Sequence, residues 1–170
     1  MSELESWVTF EKACPNLSVI RTEMNVKIMR RFSKTGDIVW IAGQMDILLS
    51  YDTWDHFGSS GPRQTWVGDF KVIAEDLEEE SNASRDTLKP PFDNLPDCKL
   101  TKYSLQIAMY ANMAYEEKGI DATKGLIVCV HKNIPPNEAF GGARIRTHEV
   151  DFSIYRPLAA QVLENAGYVH

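Results

Sequence analysis

The chain has 170 residues, 44% hydrophobic and 25% charged, the size and composition of one soluble domain with room for a sizeable core and hardly for two. Its 18 Lys and Arg against 24 Asp and Glu leave a net charge of -6, which excludes a generally basic nucleic-acid coat but not a local basic patch. Cys14, Cys98 and Cys129 lie far apart, without the paired spacing of a zinc site, the even count of a disulfide framework or the thiolates of an iron-sulfur cluster.

The start, Met1-Ser2-Glu3-Leu4-Glu5, has no basic stretch followed by an apolar one, and no apolar run approaches the roughly 18 residues of a membrane span. An intracellular, soluble protein is expected.

Leu4, Trp7, Val8 and Phe10 recur at helical spacing and Pro15 stops the run, so a short helix is expected over 3–13. From Leu17 to Phe32 apolar residues (Val19, Ile20, Met24, Val26, Ile28) alternate with polar ones, the mark of a half-buried strand. Lys34-Thr35-Gly36-Asp37 reads as a hairpin turn. Ile38 to Leu49 is almost wholly apolar and suits a central strand covered on both faces, interrupted by the single charge Asp46. A loop at Gly58–Pro62 precedes a third strand from about Thr65 to Ile73, giving a meander.

Residues 75–97 combine an acidic cluster with Pro90, Pro91 and Pro96 and read as a long mobile loop. Leu105, Ala108, Met109, Met113 and Ala114 mark an amphipathic helix over Leu100–Lys118, which Gly119 ends. A strand at Gly125–His131, a strand at Ala143–Val150 and a helix at Ser153–Asn165 complete the chain. The class expected is α/β, or α+β, around a mixed sheet flanked by helices.

A carboxylate buried among Ile, Leu and Met costs several kcal/mol unless it is compensated, and a bound divalent cation is one compensation. Asp46 occupies such a place. Asp69 and Lys71, two apart on the next strand, share a face. Gln106 and Tyr110, four apart, share a face of the following helix. Taken alone, Asp69-Phe70-Lys71 reads as a buried ion pair, and Gln106 and Tyr110 as a polar helix edge capping the sheet.

The order of parts is more specific than any of them. Gly43-Gln44-Met45-Asp46, then Asp69-Phe70-Lys71, then Gln106 and Tyr110 resemble the GxxD, (D/E)xK and QxxxY elements of the PD-(D/E)XK nuclease superfamily, especially its RecB-like and mitochondrial or viral exonuclease branches. Arg21-Thr22-Glu23 and Tyr103-Ser104-Leu105 extend the likeness, which spans about residues 17–131.

The resemblance implies a restriction-endonuclease-like core and a nuclease that hydrolyses DNA with Mg²⁺ or Mn²⁺, at ends or on single strands, with RNA left open. Asp46, Asp69 and the Phe70 backbone carbonyl would be the metal ligands, oxygen donors such as hard cations prefer. Lys71 would hold the attacking water, and Gln106 and Tyr110 would fix the DNA backbone or the nucleophile. Glu23, by itself a solvent-facing strand residue, resembles an acidic position that supports the metal. The resemblance leaves a helicase or polymerase partner open, and by it the 170 residues would be a truncated form of a longer nuclease or an exonuclease stripped to its core. The other class of reading is a catalytically inactive nucleic-acid-binding or interaction module that keeps the fold.

The pattern is incomplete upstream, where only Glu5 and Glu11 stand in place of the His or Glu that many relatives carry on an earlier helix. His131 reads as a rim residue, and His56, His148 and His170 lack ligand spacing. Tyr51, Trp54 and Phe57 fit either base stacking or local packing. Neither a phosphate-cradling GxxxxGK nor a GxSxG nucleophile motif occurs. Five bases against one acid over Arg21–Lys34, and five acids over residues 75–80, suit a polyanion ligand or simply two solvated faces.

Overall fold

The computed structural model describes residues 3–31, 35–54, 60–74, 76–131 and 144–165. The elements are α1 (Glu3–Ala13), β1 (Leu17–Arg31), β2 (Ile38–Trp54), β3 (Ser60–Ile73), α2 (Leu77–Ala83), α3 (Lys99–Lys118), β4 (Lys124–His131), β5 (Ile145–Val150) and α4 (Phe152–Asn165). They form an α/β fold around one five-stranded mixed sheet in the order β1-β2-β3-β4-β5. The first three strands are an antiparallel meander, β3 and β4 pair in parallel across the α2–α3 crossover, and β5 returns antiparallel.

Strand alternation sends side chains to both faces, and each face has its own core. On one, Met24, Val26, Ile28, Met45, Val67, Ile127 and Cys129 pack against Ile107, Ala108 and Ala111 of α3 and Phe152, Ala159 and Leu163 of α4. On the other, Ile47, Leu49, Trp66, Leu126, Val128 and Ile145 meet Phe10 and Trp7 of α1. Among the described residues no helix is long and apolar enough to cross a membrane.

α1 and α3 fall where the periodicity places them, and α3 ends at Gly119, whose φ of 67° and N–H bonds to Ala114 and Tyr115 carbonyls make a left-handed cap.

Three expectations need correction. The acidic cluster is not all loop: the buried Asp76 accepts from the Glu78 and Glu79 N–H groups at 2.9 and 3.3 Å and starts α2, whose acidic first turn suits the helix dipole. The segment after α2 is held too, by Leu88 N–H to the Leu95 carbonyl and Asp97 N–H to the Asp86 carbonyl. β3 begins at Ser60, so Pro62 belongs to the strand. β2 is covered on both faces only from Met45 onward, whereas Ile38 is 53% and Trp40 60% exposed. Phe32, Lys34, Phe57 and Ala143 lie outside the described residues.

A Cβ on Gly125 would meet Ile107 Cγ2 at 2.6 Å and both Phe152 and Val150 at 2.9 Å. Gly125→Ala should therefore cost about 1–3 kcal/mol through overpacking, read as a lowered urea midpoint at unchanged slope. A midpoint equal to the parent's would show that this packing is loose.

Candidate active site

The β2–β3 ladder runs in register to Ile47↔Gly68 and stops. Extended by one residue, the same register sets Asp46 opposite Asp69, where the strands part. The Phe70 N–H, which would otherwise continue the ladder, donates to Asp46 Oδ2 at 3.0 Å. Phe70 is anchored from the far side by Trp7, edge to face with centroids 4.7 Å apart.

Asp69 is 2% exposed. Lys71 Nζ lies 2.6 Å from its Oδ2, an ion-pair contact off the hydrogen-bonding angle, which leaves that buried oxygen without a well-aligned hydrogen bond among the described residues. Burial pushes the Asp69 carboxyl up to about 6, the pull of Lys71 opposes this, and the charge of Asp46 adds to the rise.

Lys71 Nζ also donates to Gln106 Oε1 at a long 3.5 Å and lies 4.7 Å from the Tyr103 ring centre. Gln106 Nε2 in turn donates to the Tyr110 hydroxyl at 2.9 Å. Tyr110 lies against Gly43, where an added Cβ would stand 2.5 Å from Tyr110 Cε1. The glycine of the first motif thus makes room for the tyrosine of the third. A cavity of about 730 Å³ opens beside Gln106 and Tyr110, walled by Ile41, Leu88, Phe92 and Met109.

Asp46, Asp69, Lys71, Gln106 and Tyr110 therefore meet in one place. Glu23 is not drawn in. It falls between the pairs Thr22↔Ile47 and Met24↔Met45, opposite Asp46 by register, but its side chain is exposed and its φ is 50°, a left-handed conformation uncommon outside glycine. Glu11 is exposed, and α1 lies on the sheet face opposite α3.

Among the described residues no three His, Cys, Asp or Glu side chains form a metal cage. A Mg²⁺ site needs only one or two protein carboxylates with water and substrate oxygens. The buried Asp69 carboxylate beside Asp46, whose Oδ2 is in ion-pair contact with Lys71 but makes no well-aligned hydrogen bond among the described residues, fits that smaller donor set.

A polar group that sequence reasoning missed lies farther along the same sheet face. Asp76 pairs with Arg146, and His148 Nδ1 is 3.3 Å from Glu78 Oε1. His131 is no rim residue: it is 1% exposed, and neither ring nitrogen has a hydrogen-bond partner among the described residues. Burial first, then the charge of Arg146, lowers its pKa. Cys129 is pushed up to about 12 by burial and by the charges of Asp76 and Asp69, so it stays a thiol at neutral pH. Tyr51 stacks on buried Trp66 with centroids 4.5 Å apart, which is packing. His56, Phe57, His170 and the Trp54 side chain lie outside the described residues.

The site predicts its own pH dependence. A hard cation needs Asp69 ionised, so Mn²⁺ affinity, followed by calorimetry, should be full above pH 7 and fall as the pH drops through about 6. Affinity that held to pH 5 would exclude Asp69 as a ligand. Because folding raises this pKa, the sign for the metal-free protein is opposite: Asp69 favours folding toward low pH and loses that contribution as pH rises through about 6. Asp69→Asn should then retain or raise stability at pH 8 without metal, measured by thermal melting.

Compared with known proteins, the chain matches no family model and no curated protein.

Proposed function

We propose that this chain is a metal-dependent nuclease with a restriction-endonuclease-like core, of the PD-(D/E)XK type, hydrolysing DNA phosphodiester bonds at ends or on single strands. The observation that carries the reading is the meeting of three sequence motifs at the point where β2 and β3 part, with Asp46, Asp69 and Lys71 backed by Gln106 and Tyr110. An ordinary buried ion pair needs neither the second carboxylate nor the helix residues.

Asp46, Asp69 and the Phe70 carbonyl would hold Mg²⁺ or Mn²⁺. Bound there, the ion would lower the pKa of a water and neutralise charge on the scissile phosphate. The chain's own groups do the rest. Lys71, 2.6 Å from Asp69 Oδ2, orients the attacking water and stabilises the negative charge that develops as the water oxygen bonds to phosphorus and the P–O bond to the leaving group breaks. Gln106, held between Lys71 and the Tyr110 hydroxyl, fixes the ammonium or the phosphate oxygens. The cavity beside the pair gives an unpaired strand room to enter.

Hydrolysis of end-labelled DNA with Mg²⁺ or Mn²⁺ is expected for the parent, with Asp69→Ala and Lys71→Ala each slowed by at least about 10²-fold. No turnover on any single- or double-stranded DNA or RNA would favour the catalytically inactive module. Degraded linear strands beside intact circles would establish end-directed action.

Gln106→Ala should lower turnover strongly while stability stays within about 1 kcal/mol of the parent. Tyr110→Phe keeps the ring on Gly43 and removes only the hydroxyl, so lost activity assigns the hydrogen bond and retained activity assigns packing alone. If both variants melt earlier with activity per folded molecule unchanged, α3 is structural.

A further inference from the structure

On the far side of Asp46, β1 and β2 leave the rest of the sheet as a two-stranded ribbon. Its inner face is closed by α3: Val26 and Ile28 are buried there. The outer face carries Asn25, Lys27, Met29 and Arg31 from β1 and Gln44, Ala42, Trp40 and Ile38 from β2, paired in that order. All eight are exposed, with Met29 at 51%, Ile38 at 53% and Trp40 at 60%. Large apolar side chains gathered on an uncovered face mark an interaction site more often than chance exposure does.

The charges on this face are one-sided. Of the basic run on β1, Arg30 is already engaged, because both its terminal nitrogens bind Glu116, at 2.6 and 2.7 Å. Lys27 Nζ and the Arg31 guanidinium make no ion pair among the described residues, and Lys27 Nζ instead stands 5.4 Å over the Trp40 ring. Glu117 accepts from the Lys27 N–H at 2.9 Å and pairs with Lys118, and the Lys27 charge acts on it without forming an ion pair. No acid stands among the eight positions.

We infer that this face is a platform for single-stranded nucleic acid, with bases stacking on Trp40 beside Met29 and Ile38, and phosphates meeting Lys27 and Arg31. Cations interleaved with an exposed aromatic are what an unpaired strand requires, since every base offers a stacking face and every linkage a charge. A duplex keeps its bases stacked inside and leaves Trp40 unused. A second copy of the chain, docked face to face about a two-fold axis, would bring two basic faces together with no acid among the eight positions to meet them. The inference goes beyond the nuclease reading, adding a binding face near the site that does not line it: Trp40 is six residues from Asp46, about 20 Å along β2 at ~3.3 Å per residue, on the sheet face away from α3.

The test separates binding from cleavage. Anisotropy of a labelled thymidine 15-mer and of its duplex is measured with the full chain in EDTA, so nothing is cut, over a series of salt concentrations. The parent should prefer the single strand, and Trp40→Ala should weaken that binding about tenfold with an unchanged circular dichroism spectrum. Lys27→Ala combined with Arg31→Ala should reduce the salt slope by roughly 1.4, at ~0.7 for each phosphate no longer neutralised, and serves also if Trp40→Ala misfolds. Failure of the parent to bind, equal binding by the variants, binding only to anionic vesicles, or a dimer that Trp40→Ala dissociates would each overturn the platform. Hydrolysis with Mg²⁺ or Mn²⁺ is scored separately: Trp40-dependent binding without any cleavage overturns the nuclease reading and leaves the platform standing, whereas cleavage and binding both indifferent to Trp40 do the reverse.

Discussion

Two carboxylates opposite each other cannot be absorbed by a continuous sheet, and the architecture follows from that constraint. By register Asp46 and Asp69 face one another one step past the last β2–β3 pair, Ile47↔Gly68. Like charges at that spacing repel, and burying Asp69 raises its pKa further. The chain answers with the Phe70 N–H on Asp46 and the Lys71 ammonium on Asp69. Each answer uses a group from the residues that bracket the break, so the opening between the strands is held by its own edges.

Once the strands part, β3 continues beside β4 to Ile73↔His131 while β2 upstream of Asp46 pairs, among the described residues, with β1 alone. A two-stranded ribbon is marginal by itself, and α3 supplies what is missing. Tyr110 lies on Gly43, and Glu116 and Glu117 grip Arg30 and the Lys27 N–H near the end of the helix. The same helix presents Gln106 to Lys71. Support of the ribbon and completion of the polar site are thus two jobs of one helix face, so changes near its middle couple packing to chemistry.

The face toward α3 is unusually polar beyond the site. Cross-strand pairing aligns Lys71 with Cys129 and Arg146, and Ile73 with His131. Asp76, at the start of α2, covers the end of this row and meets Arg146. Burial opposes its ionisation, but the Glu79 and Glu78 N–H bonds and Arg146 outweigh burial and hold its carboxyl below the ordinary range. It supports folding at neutral pH and loses that contribution as pH falls through its lowered pKa, while neutral His131 begins to lose its own below about 6.5.

The sequence by itself determined the kinds of element, their order and the positions of the three motifs. Alternation from Leu17, the apolar run from Ile38 and the period of Leu105, Ala108 and Met113 are local signals, because residues two or four apart share a face whatever the rest of the chain does. It could not show that Asp76 caps a helix, since an acidic cluster with nearby prolines also composes a loop, nor that His131 is buried, since that depends on distant residues, Asp76, Arg146 and His148 among them, coming to surround it. It placed the basic run on β1 without showing that Arg30 is taken by Glu116 and that Lys27 and Arg31 remain beside Trp40. Above all, the break between Asp46 and Asp69 is a property of where two strands cease to pair. That is decided by contacts across 23 positions of sequence and by a helix that follows both, so only the tertiary structure brings the motifs to one point and leaves the hairpin face uncovered.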